Sequence, residues 1–481
     1  MGLLGILIGL GLLVWLAFRG WSVLLLAPAS AVLAAFFSNE PLLAHWTQTF
    51  MGGAARFLGQ FFPLFLLGAL FGKLMEDSGS VGVIAGFMVS KLGQERAVLA
   101  VVLAGALVTY GGVSLFVALF VLVPMGQELF RSAGVPRRLM PAAIALGTST
   151  FTMSALPGTP AIQNAIPMPF FGTTPFAAPG LGIIAAAIML GFGLWWLGRV
   201  EAAARRSGEG YGDDDIVEPP DEALLRERAS TAREFDPAEI ARGQPATSPP
   251  GVGLAVLPLV VVVAVNLAMS LAILPALDLD FLAEPRWGDA SLDAVGGVWS
   301  VVTALATAIA VVLASSWRRL PALRQTVDAG ANASVLPAVS VASLVGFGAV
   351  VAALPSFEVV REAVLGIGGG PLVSLAAATN VLAALTGSAS GGLTIALDAL
   401  GATFIARADA IGMDPALLHR VAVIGAGTLD SLPHNGAVVT LLAVCGCSHR
   451  EAYRDLAVVA IGSALVALAV VILLGSAFGS F

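Results

Sequence analysis

Apolar runs of near membrane-spanning length recur from one end of this chain to the other, and two of them are broken by proline. The runs cover residues 3–18, 21–37, 57–75, 97–108, 138–153, 180–198, 251–274, 295–315, 333–354, 371–386, 421–430 with 436–446, and 457–478. A bilayer core takes about 20 apolar residues as a helix. Where no water reaches the backbone, each N–H and C=O needs a partner within the protein, so such runs fold as helices. The chain is 58% hydrophobic and 11% charged, against about 25% charged residues in a soluble domain. The sequence therefore predicts an all-α polytopic membrane protein, with lipid bilayer and not nucleic acid as its surroundings.

The interruption that organises the chain is Gly427-Thr428-Leu429-Asp430-Ser431-Leu432-Pro433-His434-Asn435-Gly436. It sets an acid, hydroxyls, a proline, an imidazole and an amide inside an apolar run, which is costly unless the segment lines a cavity or is buried in protein. The same order of residue types appears earlier in Thr152-Met153-Ser154-Ala155-Leu156-Pro157-Gly158-Thr159-Pro160. A glycine pair precedes each copy: Gly111-Gly112 before the first, Gly391-Gly392 before the second. Gly391 stands 280 residues after Gly111, Gly412 stands 278 after Gly134, and Leu432 stands 276 after Leu156. Three landmarks in one order at nearly one offset read as two structural repeats, and paired interruptions of this kind point to a transport site. Glycine accepts positive φ, so the two pairs are expected at the tips of re-entrant hairpins, with the short runs 81–90, 113–123 and 388–400 as half-helices. A glycine-rich packing face is the alternative.

This gives four parts: an N-terminal scaffold hairpin over 1–50, a first repeat over 51–200, a linker loop over 201–250, and a second repeat with its scaffold helices over 251–481. The linker is rich in Arg, Asp and Glu and has no apolar periodicity, so it cannot bury a core. Its arginines place it in the cytoplasm. The acidic loop 275–294 then falls outside, Trp317 to Arg324 inside, and both termini outside. No lysine or arginine precedes Leu3, so the first run reads as a span and not a cleaved signal. Cys445 and Cys447 alone make no structural metal site, and nothing calls for a cofactor.

Candidate solute-binding residues are the small and neutral polar residues at the tips and breaks. In the first repeat these are Gly111, Gly112, Ser114, Thr152, Ser154, Gly158, Thr159, Gln163 and Asn164. In the second they are Thr386, Ser388, Ser390, Gly391, Gly392, Ser431 and Asn435. Hydroxyls and amides suit a small hydroxylated anion, and backbone N–H groups at a half-helix start suit its carboxylate. No lysine or arginine lies within either motif, so these dipoles would bear that task. Packing and back-bonding to the helix is the plainer reading of any single serine or threonine. Asp430 and His434 differ in kind: ionisable groups in a membrane segment are proton-relay candidates, and histidine titrates near neutrality. A static hydrogen-bonded pair is the alternative. Asp398 is a weaker candidate. His45, His419 and His449 fall near span ends and read as interfacial.

Thr386 to Gly392, followed by Leu429-Asp430-Ser431-Leu432-Pro433-His434-Asn435-Gly436-Ala437-Val438, resembles the gluconate:proton symporter (GntP) permease family. Val108 to Ser114 and Ala155 to Asn164 resemble a branch of it. The resemblance covers most of the chain outside the linker. It implies a bacterial inner-membrane symporter of the ion transporter superfamily, with inverted repeats, two re-entrant hairpins, a dimerising scaffold and an elevator-type transport domain. The family's cargoes include gluconate and related sugar acids, 3-hydroxybutyrate and D-serine. The sequence lacks the Ser-Asn-Thr hairpin signature of sodium-coupled relatives, which favours protons. Two other classes compete. An intramembrane enzyme would use Asp430 and His434 as its base pair but has no need of a duplicated break. A channel would be expected to show a filter or ring of charges.

Overall fold

The computed structural model describes residues 2–19, 21–212 and 242–481. Among these the secondary structure is helical throughout, with no strand. The helices used below are α1 (Gly2–Phe18), α2 (Val23–Phe37), α3 (Leu42–Asp77), α4 (Ser80–Leu92), α5 (Ala97–Tyr110), α6 (Leu115–Ala133), α7 (Met140–Thr148), α8 (Phe151–Ser154), α9 (Ile162–Ala165), α10 (Pro167–Phe171) and α11 (Pro179–Ser207). After the linker come α12 (Val252–Ala276), α13 (Leu292–Ser316), α14 (Leu323–Ala333), α15 (Val335–Ala353), α16 (Phe357–Leu365), α17 (Pro371–Thr386), α18 (Ala389–Ala410), α19 (Pro415–Thr428), α20 (Gly436–Val444) and α21 (His449–Phe478). Seven helical stretches among the described residues are long and apolar enough to cross a membrane, and α4 with the stretch Gln94–Tyr110, bent by 106°, makes up to eight. The protein is a multi-pass membrane protein.

Lipid offers apolar side chains the same surroundings as a neighbouring helix, so helices associate through close packing at small residues. Gly53 of α3 faces Ala349 of α15, where a Cβ would lie 2.8 Å from the Ala349 Cβ. A Cβ on Gly147 of α7 would meet the Val102 carbonyl of α5 at 2.3 Å. The main buried cluster runs from α3 through α21. A smaller one joins Leu26, Ala31 and Ala34 of α2 to Phe347, Val350 and Val351 of α15, so the first two helices pack as a satellite.

Two helical hairpins stand out. In the first, α5 and α6 meet at Gly111 to Ser114, and Gly112 sits at φ 100, as the glycine pair predicts. In the second, the turn between α17 and α18 falls at Gly387 (φ 61) and Ser388, not at Gly391-Gly392. Ser388 caps α18 by accepting the Gly391 N–H at 3.2 Å, so the helix begins before the pair. Gly392 serves packing instead: a Cβ there would meet the Ala383 nitrogen at 2.3 Å, and its absence lets the two arms close.

Both predicted proline breaks are present. Residues 155–161 are non-helical between α8 and α9, and a short 3₁₀ turn (Leu429–Ser431) and residues 432–435 separate α19 from α20. The first residues of the expected linker, 201–207, are helical. Helix α11 continues to Ser207, helped by the Glu201–Arg205 pair at 2.8 Å, an i,i+4 spacing that supports helices, and it ends on Gly208 at φ 74. At its far end Ala246 N–H donates to Asp77 O at 2.6 Å. The middle of the predicted linker, 213–241, lies outside the described residues.

Candidate functional site

The tips of both hairpins and both breaks meet around one cavity of about 230 Å³. Of the residues expected there, Gly112, Ser114 and Gln163 face it from the first half, and Thr386, Ser388, Ser390 and His434 from the second. Thr109, Thr148, Ser334 and Ser340 add hydroxyls, while Leu64, Phe65, Val341 and Leu344 form an apolar wall.

A backbone that leaves the helix in a membrane protein must find other partners for its polar groups, and the first break shows where they come from. Tyr110 of α5 donates its hydroxyl to Pro157 O at 2.9 Å. Asn266 of α12, fully buried, donates to Gly158 O at 2.9 Å. Asn164 donates to Thr159 O at 3.1 Å and Pro175 O at 3.0 Å. Arg420 of α19 donates to Ser154 O at 3.2 Å and to Ala177 O at 2.7 Å. Side chains of α5, α9 and α12 thus hold the seven residues of the break, and Arg420 holds the end of α8 just before it.

The second break is tied both to the hairpin beside it and to α21. His434 Nε2 lies 3.1 Å from Ala384 O, near the end of α17. A carbonyl only accepts, so this nitrogen carries the hydrogen and Nδ1 is the acceptor in the neutral ring. Asn435 donates to Gly387 O at 2.9 Å and to the Asp430 carboxylate at 2.8 Å. From α21, His449 donates to Pro433 O at 2.7 Å and Tyr453 to Ser431 O at 3.2 Å.

Several expected residues sit behind the cavity instead of on it. Thr152 and Ser154 turn their hydroxyls back to Gly147 O (3.1 Å) and Thr150 O (3.0 Å). Gly111 packs against Leu259 and Gly158 against Phe176. Thr159 and Asn164 are buried in the break's own hydrogen bonds. Gly391 and Gly392 lie inside α18, and Ser431 is buried beside Tyr453. Asn435 caps α20 by accepting the Ala437 and Val438 N–H groups at 2.7 and 3.4 Å. Two of the amides expected to be available to an anion at that helix start are therefore already taken up.

Three charged or titratable residues were misjudged or overlooked in the sequence. Lys73 of α3 lines the cavity; it lies outside both motifs, and its rarity is its one signal, since the chain has two lysines. Arg420 is wholly buried, although it sits in what reads as an apolar run. His419 is wholly buried too, not interfacial; its Nδ1 lies 2.6 Å from Thr173 Oγ1 and its Nε2 3.2 Å from Asn164 Oδ1. His449 is exposed. No group of three or more metal-ligating side chains occurs among the described residues.

Comparison with known proteins sets this site in a family context. The family model described as GntP family permease matches residues 1–170. The chain is 40% identical over 463 residues, 95% of each chain, to YxjC of Bacillus subtilis strain 168, described as an uncharacterized transporter. Among solved structures, MtrF of Neisseria gonorrhoeae, assigned to a class of antimetabolite efflux pumps, matches with a TM-score of 0.54 at 14% identity, over 91% of this chain and 85% of its own. The YdaH transporter of Alcanivorax borkumensis matches with a TM-score of 0.47 at 18% identity, over 91% and 89%. The MtrF likeness is one of fold alone.

Proposed function

The chain belongs to the GntP permease family, and from that premise we propose that this membrane transporter carries a small hydroxylated organic anion, gluconate or a related sugar acid, into the cell together with a proton. The observation that carries the reading is the cavity. Two hairpin tips and two helix breaks, from halves of the chain far apart in sequence, converge on one space edged by Ser114, Gln163, Thr386, Ser388 and Ser390. Hydroxyl and amide groups of this kind both donate and accept hydrogen bonds, as the hydroxyls of a polyol chain require. The apolar wall of Leu64, Phe65, Val341 and Leu344 favours a second cargo, a short hydroxy acid such as 3-hydroxybutyrate with its methyl end against that wall.

On this reading the hairpins and breaks form the transport domain of two inverted repeats, which moves elevator-fashion against a scaffold that includes α1 and α2 and forms a homodimer. The positive-inside count sets both termini outside and the linker in the cytoplasm. Asp430 and His434 carry or gate the driving proton. The reason is charge: taking an uncompensated anion through a low-dielectric barrier is expensive, and a proton offsets it. Both residues are bonded through to the second hairpin, at Gly387 by way of Asn435 and at Ala384, so their charge state bears directly on the tip that edges the cavity.

Counterflow tests the carrier. Purified protein in liposomes loaded with unlabelled gluconate or 3-hydroxybutyrate is expected to accumulate the labelled acid transiently. Uptake that only equilibrates, with no overshoot for either acid, would indicate a channel or a different cargo.

A further inference from the structure

Among the described residues lining the cavity, Lys73 is the one cation. It stands on the face of α3 that also presents Leu64, Phe65, Gly68 and Ala69 to the cavity, and its side chain is 7% exposed. Two carboxylates of its own helix hold it: Asp77 at 2.9 Å and Glu76 at 3.3 Å. They are not equivalent. Asp77 also accepts the Thr326 hydroxyl of α14 at 2.6 Å and is 4% exposed, and Gly243 lies so close that a Cβ there would meet its Oδ2 at 2.3 Å. Glu76 has the longer contact and is 21% exposed.

We propose that Lys73 receives the carboxylate of the transported anion, giving up Glu76 for it while keeping Asp77, and that Glu76 takes up a proton as the anion arrives. The inference rests on the carrier reading of the cavity, but not on the assignment of Asp430 and His434. An ammonium has three N–H groups and no acceptor, so it can exchange one carboxylate for another without leaving the second. With all three ionised, Lys73, Glu76 and Asp77 sum to one negative charge. A bound anion makes two in a poorly hydrated space, and one proton on Glu76 restores the balance. Glu76 is the acceptor because the hydroxyl donor and tighter ion pair of Asp77 stabilise that group as the anion. Among the described residues, the other charged groups on the elements around this end of α3 are Arg242 on the returning segment, Arg318 and Arg319 at the α13–α14 turn, and Arg324 and Asp328 of α14, which are 94% and 64% exposed and lie 3.7 Å apart. Asn435 occupies two of the first amides of α20, and where uncapped helix starts such as that of α6 offer only partial charge, the lysine offers a full one.

Two lysines in the whole chain make the test direct. An amine-reactive acylating reagent is applied to the full-length protein in liposomes, and peptide mass spectrometry reads Lys73 against the exposed Lys91. Gluconate at about ten times its dissociation constant is expected to slow Lys73 labelling about tenfold and leave Lys91 unchanged; sorbitol, with the hydroxyls but no carboxylate, should protect neither. If gluconate is exchanged by the carrier yet Lys73 labelling is unaltered, the proposal is wrong and the carrier reading stands. If no hydroxy acid is exchanged, that reading fails, and acetate in large excess decides the site alone: protection of Lys73 supports it, an unchanged ratio overturns it. Calorimetry in two buffers of different ionisation enthalpy should give about one more proton taken up per anion bound by the wild type than by Glu76→Gln. Equal uptake by both overturns the role of Glu76, as does absence of uptake in the wild type.

Discussion

The Asp430 carboxylate accepts the side-chain N–H of Asn435 at 2.8 Å, and the same nitrogen reaches Gly387 O at 2.9 Å. Acid, break and hairpin tip are one bonded unit. A carboxylate is a stronger acceptor than a carboxylic acid, so a proton arriving on Asp430 weakens the clip that Asn435 makes across the tip.

Asp430→Asn keeps the shape of the side chain and removes its titration. It is expected to abolish accumulation driven by a pH gradient while exchange at equal pH survives, and His434→Gln should shift or flatten the pH profile of uptake. Both are read in liposomes with labelled gluconate. Wild-type accumulation and pH dependence in both variants would make the pair structural and leave the proton elsewhere, with Glu76 the next group to test.

Arg420 is fully buried and its donors go to two carbonyls and the Asn164 side chain. Arg420→Met should destabilise the protein by roughly 2–4 kcal/mol, since each unpaired buried acceptor costs about 1–3 kcal/mol and relief from burying a charge returns part of it. Thermal melting in detergent reports this, and Arg420→Lys, lacking the planar fork, should recover little. An unchanged melting point for Arg420→Met would mean that the first break holds itself together.

Gly392→Ala forces its new methyl against the backbone at Ala383, while Gly11→Ala meets nothing within 4 Å. Overpacking of this kind costs about 1–3 kcal/mol. The first variant should lower both the melting temperature and uptake, and the second should change neither. Equal behaviour of the two would show that the arms of the second hairpin are not in close contact.

Arg138, outside the membrane segments, grips Glu209, also outside them, at 2.7 and 3.0 Å, and Asp455 near the start of α21 at 2.7 Å. The hydrogen bonds from Arg138 hold the Glu209 carboxyl below its ordinary value. A lowered folded-state value adds stability that is present at neutral pH and is lost as the pH falls through it. Glu209 is 40% exposed, so the effect is small, under about 1 kcal/mol. Glu209→Gln should therefore melt slightly below wild type at neutral pH, and the gap should close as the pH falls below about 4. A gap that widens on acidification contradicts this.

The sequence disclosed the helices and the two breaks because lipid makes both conspicuous: apolar length marks a span, and Pro157 and Pro433 cannot continue a helix without loss. It also placed the first tip at Gly111-Gly112. It misplaced the second because a glycine pair has two uses, a turn or a close approach, and only the path of α17 past Gly392 decides between them. Lys73 escaped notice because it belongs to neither motif and reaches the cavity through the packing of α3. Arg420 escaped because its partners are backbone carbonyls far away in sequence, which no local pattern encodes. The near-constant offset marked residues that gather around one cavity, but it did not tell which of them line it and which hold the frame.

Arg420 lies in the second half of the chain, yet it fastens the break of the first, and Asn164 of the first half bonds to both His419 and Arg420 of the second. In mechanical terms the two breaks are riveted to a common chassis. A hinge between them would have to shear several buried hydrogen bonds at once, so on the carrier reading proposed above the stroke that presents the cavity to one face of the membrane and then the other carries both breaks as a single piece.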